Sequence, residues 1–212
     1  MNKHIFYLFF WVLFAGIAIT SNAQNFTDLD KSPMDAVMAR NHDNSPLIRI
    51  IYSRPFKRNR EIFGKLVPFG EIWRTGANES TEIRFYENCL INGKSVSKGT
   101  YALFSIPNED EWTLIINKNN KSWGTYNYNE NEDVLRFTVP AQKTATEVEQ
   151  FSISTRPAKN GVYVLMGWDD TFLRFEIKLD PDFESPIKDV IDEEILEAEK
   201  KPKKRKRFLG IF

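Results

Sequence analysis

Beyond residue 81, apolar and polar side chains alternate one by one along much of the chain, the period of strands with a single buried face. Ile83 and Phe85 alternate with Glu82 and Arg84, and Leu135, Phe137 and Val139 with Val134, Arg136 and Thr138. Leu173, Phe175, Ile177 and Leu179 alternate in the same way with Arg174, Glu176 and Lys178. Residues 47–52 are β-branched and nearly continuous, and Ser53-Arg54-Pro55 ends that strand. Residues 99–106 and 112–117 are apolar on both faces, which places them in the middle of a sheet. Phe151 and Ile153 mark a further strand. Asn92-Gly93 predicts a hairpin of type I′, and Asp169-Asp170 joins residues 162–168 to the last alternating run as a second hairpin. About nine short strands without a long amphipathic helix among them predict an all-β fold, an antiparallel, jelly-roll-like sandwich over residues 47–179.

Residues 24–46 form an N-terminal extension with a weak signal, in which Ser32-Pro33-Met34-Asp35 resembles a helix cap and predicts a single helical turn. Residues 62–80, IFGKLVPFGEIWRTGANES, interrupt the strand pattern. Gly64, Gly70 and Gly76 permit unusual backbone conformations and Pro68 restricts its own φ, so this stretch predicts a locally specified loop that feeds a strand. Ser185 and Pro186 would open a C-terminal helix, broken by Pro202 and followed by a basic tail.

Composition adds a compartment. Lys3 precedes an apolar run over residues 5–19 that ends in Thr20-Ser21-Asn22-Ala23, which predicts a signal peptide over residues 1–23 and an exported protein, periplasmic or extracellular. The run is shorter than the ~20 apolar residues that span a bilayer. With Cys89 as its single cysteine, the chain must be held together by its core rather than by disulfides, and Cys89 itself reads as a small buried hydrophobe. His42 is the only histidine beyond the leader and sits among turn formers, so Ser-His-Asp, Cys-His and multi-histidine zinc chemistry are disfavoured. Lys plus Arg and Asp plus Glu each number 29, but the balance hides a polar tail: residues 180–199 contain nine acids against the single Lys188, and residues 200–207 are basic apart from Pro202. Export removes nucleic acid as the partner of that basic run. A peripheral membrane contact, opened by Lys200 and closed by the apolar end at Phe212, is the alternative to a solvated tail.

Several motifs resemble those of the exported bacterial domain-of-unknown-function family 2911: Tyr52-Ser53-Arg54-Pro55, Ile62-Phe63-Gly64, Leu66-Val67-Pro68-Phe69-Gly70, Trp73-Arg74-Thr75-Gly76-Ala77-Asn78-Glu79, Trp123-Gly124 and Asp133-Val134-Leu135-Arg136. The resemblance covers roughly residues 29–179. It implies an exported single domain and supplies no catalytic residue. Asn59 stands where relatives often have Gly, and Asn still permits a positive φ.

The candidate chemistry gathers in two places. Trp73, Arg74, Asn78 and Glu79 suit a ligand site, in which Arg74 takes an anionic or polar group, Asn78 and Glu79 hydrogen-bond it and Trp73 forms an apolar wall; Arg54 would join them. The same residues suit a buried connection that must satisfy its own backbone. Trp123 and Tyr126, in Trp123-Gly124-Thr125-Tyr126-Asn127-Tyr128, suit stacking on sugar rings or an ordinary sandwich loop. Residues 127–133 are rich in oxygen ligands but lack the spacing and central glycine of a calcium loop, so neither a metal nor a cofactor is expected. With no His or Cys catalytic set, the leading expectation is a non-catalytic module that binds a small molecule, glycan or envelope component. The alternatives are a glycan hydrolase using Glu79 and a second carboxylate such as Asp133, or a structural protein of the envelope.

Overall fold

The protein is a sandwich of two antiparallel sheets in a computed structural model that describes residues 26–41 and 43–179. The expected signal peptide, His42 and the C-terminal helix with its basic tail lie outside these residues. The larger sheet contains β1 (Met34–Arg40), β2 (Pro46–Ser53), β3 (Thr81–Phe85), β6 (Gly99–Ile106), β7 (Glu111–Asn117) and β8 (Asp133–Pro140), in the order β1-β2-β3-β6-β7-β8. The smaller contains β4 (Cys89–Ile91), β5 (Lys94–Val96), β9 (Gln142–Ala158) and β10 (Gly161–Leu179), in the order β5-β4-β10-β9. The two-faced apolar strands, β6 and β7, are interior to the larger sheet as expected, and Asn92 and Gly93 adopt the positive φ of the β4–β5 turn.

β10 is longer than its reach suggests. Its inward residues are even-numbered up to Trp168 and odd-numbered from Thr171, and Leu179 N donates to Asn160 O at 2.9 Å. A straight strand of that length would hold its ends tens of ångströms apart. The element therefore folds back at Asp169, which has φ 55°, as the expected hairpin: its first half lines β9 and its end lines β4.

One expectation fails. The stretch after Ser32 is no helical turn but the edge strand β1, registered residue for residue on β2 from Met34 opposite Ser53 to Ala39 opposite Ile48. Its Met and Ala residues favour a helix locally, but the free edge of β2 offers a ladder of hydrogen bonds that outweighs so small a preference. Side chains secure it: Asp35 pairs with Arg54 at 3.0 Å and accepts from Tyr52 Oη at 3.3 Å, while Val37 and Ala39 pack on the core.

The core between the sheets centres on an aromatic cluster to which the 62–80 loop contributes. Trp73 is 7% exposed, stacks on Trp168 at 6.1 Å and 18°, and meets Phe151, Trp112 and Phe63 edge-on at 5.1, 5.9 and 6.1 Å. Its backbone is bonded in both directions to Ser105 on β6, N to O at 2.7 Å and O to N at 2.9 Å. The loop thus continues the sheet beyond the end of β3. The outer face of the larger sheet is covered too: Phe104, Ala102 and Ile115 are fully buried there beneath Ile72 and Tyr128.

Replacing Trp73 by Ala removes the hub of this cluster and is expected to cost about 3–5 kcal/mol of unfolding free energy. Urea denaturation followed by circular dichroism reads it; a loss below about 1 kcal/mol would mean that the indole is peripheral to the core.

Candidate functional site

The pairing of Trp73 with Ser105 decides where its neighbours point. Successive side chains of an extended segment face opposite sides. Trp73 enters the core, so Ile72 and Arg74 emerge on the other side. A tight turn follows, with Thr75 at φ 54° and Asn78 at φ 59°. It is closed by Thr81 N donating to Arg74 O at 3.1 Å, by Thr81 Oγ1 donating to Thr75 O at 2.7 Å and by Trp73 Nε1 donating to Gly76 O at 3.1 Å. Gly76 is required for the approach to β2, since a Cβ there would meet Ser53 O at 3.0 Å.

A second loop, between β7 and β8, docks on this turn through backbone. Ser80 N donates to Ser122 O and Gly124 N to Asn78 O, each at 3.0 Å, with Glu79 opposite Trp123 between them. These rungs bring Arg74, Asn78, Trp123, Gly124, Thr125 and Tyr126 around an open cleft of about 230 Å³. Gly124 holds a φ of 63°, and a Cβ on it would stand 3.5 Å from the Tyr126 ring and 3.9 Å from Arg74 Nη1. Gly124 thus sits beside both groups in the lining.

Arg74 is the unusual group. Its Nε is buried without a hydrogen-bond partner, and among the described residues no carboxylate neutralises it. Burial pushes its pKa below the ordinary arginine value, opposed only by the Tyr126 hydroxyl. Arg49 also has a buried, unpartnered Nε, but its Nη2 meets Glu82 at 3.1 Å. Arg74 therefore keeps its charge, as arginine does in proteins, with its desolvation only partly offset. Beside it Trp123 is 58% and Tyr126 86% exposed, so both rings present surface at the cleft.

Four of the seven residues expected at a site meet here: Arg74, Asn78, Trp123 and Tyr126. Trp73 does not, because its indole belongs to the core. Glu79 is exposed, touches Trp123 through backbone, forms no ion pair with Arg74 and does not line the cleft, so it does not join Arg74 there as expected. Arg54 serves as a strap between the sheets, with Nε on Phe151 O at 3.2 Å, Nη2 on Ser152 Oγ at 2.8 Å and Nη1 on Asp35. Gly124 and Thr125 had no role expected of them, and neither did Asp30, which accepts from Asn78 Nδ2 at 3.1 Å on the rim. Only their place beside Trp123 hinted at the first two.

Asp133, the second carboxylate of the hydrolase expectation, is committed elsewhere. It accepts from Arg136 Nε at 2.6 Å, Tyr128 Oη at 2.8 Å and Asn117 Nδ2 at 2.7 Å, tying the β7–β8 loop to both strands. Burial, reinforced by the Asp133 carboxylate, pushes the Tyr128 hydroxyl up to about 12. Among the described residues no group of three His, Cys, Asp or Glu side chains is placed to share a metal ion.

The chain matches the model of the family described as "Protein of unknown function (DUF2911)" over residues 32–177, and it belongs to that family. Comparison with curated proteins and with solved structures returned no match. Asn59, at the position where Gly was expected of relatives, does take a positive φ, 57°.

Two outcomes separate the networks. Arg74→Met is expected to leave unfolding free energy unchanged or raise it by up to about 1 kcal/mol, because it removes a poorly compensated charge, whereas Asp133→Ala takes one acceptor each from Arg136 Nε, Tyr128 Oη and Asn117 Nδ2 and costs about 2–3 kcal/mol. A loss above about 2 kcal/mol for Arg74→Met in chemical denaturation would show a partner for the guanidinium. A second test uses pH. Tyr128 keeps its proton longer in the folded chain than in the unfolded one, so its contribution, full below pH 10, is lost as pH rises toward 12. Tyr128→Phe should therefore lose stability less steeply than the wild type between pH 10 and 12; equal slopes would mean that Tyr128 titrates normally.

Proposed function

We propose that this protein is an exported, non-catalytic binding module that holds the anionic group of a small molecule or envelope component in the cleft at Arg74. The observation that carries the reading is the half-buried guanidinium with no carboxylate to neutralise it, in a cleft that it shares with two exposed aromatic side chains. A ligand anion supplies the missing partner, and charge-assisted bonds of this kind contribute about 1.5–3 kcal/mol. With stacking on one ring worth about 1 kcal/mol more, the cleft supports an affinity on the order of millimolar for a minimal ligand. Tighter binding needs contacts beyond it.

The lining residues include no carboxylate, histidine or cysteine. Glycoside hydrolysis needs two carboxylates flanking one bond, and neither Glu79 nor Asp133 faces this cleft, so binding is the better reading of it. Export rests on the residues before Gln24, and the peripheral membrane contact on residues 200–212; both lie outside the described residues and add nothing to the reading of the cleft.

Acetate and inorganic phosphate, titrated separately into isotopically labelled protein, should shift the Arg74 Nε and Gly124 amide NMR resonances with saturation at about 6–80 mM, as expected for the charge-assisted bond alone, and Arg74→Gln should weaken the effect at Gly124 at least tenfold. Neutral glucose serves as control. Absence of any saturable anion-dependent shift, or the same Gly124 shift in Arg74→Gln, would remove the reading.

A further inference from the structure

We infer that the ligand of this cleft is an acidic sugar, a uronic-acid residue of a glycan, with its carboxylate on Arg74 and its ring against Trp123 or Tyr126. The inference rests on the anion-binding reading and goes further by naming the class of ligand.

The anchor favours a carboxylate. A single guanidinium presents a planar fork that matches a planar carboxylate bidentately, and the cleft contains no second cation of the kind a phosphate dianion would recruit. The rest of the lining asks for more than an inorganic ion. Trp123 and Tyr126 expose ring surface that a free acetate or phosphate leaves in water, whereas a pyranose ring has an apolar face of C–H groups that covers it. Asn78 and Thr125 each combine donor and acceptor, as sugar hydroxyls do, and they share the lining with the rings. Size agrees: at about 230 Å³ the cleft is smaller than the roughly 300–1,000 Å³ of drug-sized pockets and suits one ring, with neighbouring residues of the glycan outside.

An extended peptide is a poorer fit. Peptides add to a sheet through free backbone groups, and here Gly124 N, Asn78 O, Ser80 N and Ser122 O are already bonded to one another.

The test uses Trp123 fluorescence, which reports selectively because Trp73, Trp112 and Trp168 are buried. The full-length protein without its leader is titrated with a digalacturonate, the matching neutral disaccharide, acetate, inorganic phosphate and a dipeptide with a free carboxylate. Tryptophan-silent variants are followed by calorimetry. The digalacturonate is expected to bind at least tenfold more tightly than acetate, phosphate, dipeptide or the neutral disaccharide. Trp123→Ala and Tyr126→Ala, both on exposed side chains, should together remove the advantage of the digalacturonate over acetate, with both acids measured on the same variant, and Arg74→Gln should weaken both acids. If acetate or phosphate binds through Arg74 but the digalacturonate gains nothing over them, the anion site stands and the sugar inference falls. It falls equally if the dipeptide matches the digalacturonate, or if the advantage survives loss of both rings. Binding of no anion at all would overturn the site itself and the inference with it.

Discussion

One backbone pairing, Trp73 with Ser105, fixes the rest of the loop structure. It extends the larger sheet past the end of β3, delivers an indole to the centre of the aromatic core and, by the alternation of an extended chain, sends Arg74 to the opposite side. A loop anchored in this way cannot swing its arginine toward a distant carboxylate without withdrawing the indole from the core. The local energy is unfavourable for the guanidinium and favourable for the assembly, since burying a large aromatic side chain outweighs leaving one half-buried charge unpaired.

The same anchoring explains why the cleft has a defined shape although both of its walls are loops. The turn after Trp73 is closed by Thr81 and Thr75, and the β7–β8 loop is clamped to it by the rungs at Ser80 and Gly124 and to the sheet by Asp133. Backbone polar groups that would otherwise need water are satisfied between the loops, which leaves side chains to line the opening. No disulfide contributes: Cys89 is buried in β4, and the hydrophobic core supplies the stability that carries the strained turn residues.

Most of the sandwich was legible in the sequence because its strands bury one face and therefore alternate, and because Asn92-Gly93 and Asp169-Asp170 have turn chemistry of their own. β1 was not legible, since an edge strand with Met, Ala and Asp has no pattern apart from the strand it pairs with. The site was half legible. Hydrogen-bonding residues clustered around Trp73 and aromatic residues around Trp123 announced two loops, but their meeting depends on long-range rungs that no local pattern encodes. Sequence proximity groups Trp73 and Glu79 with Arg74, but the Ser105 pairing sends the Trp73 indole into the core, and the turn over residues 75–78 leaves Glu79 exposed outside the cleft lining.

Native-state hydrogen exchange of the Trp73 and Ser105 amides tests this dependence most directly. If the loop is an extension of the sheet, both amides should exchange only through unfolding on the scale of the whole domain, like the interior strands β6 and β7. Exchange of Trp73 at the rate of an exposed loop, with β6 and β7 still protected, would contradict it.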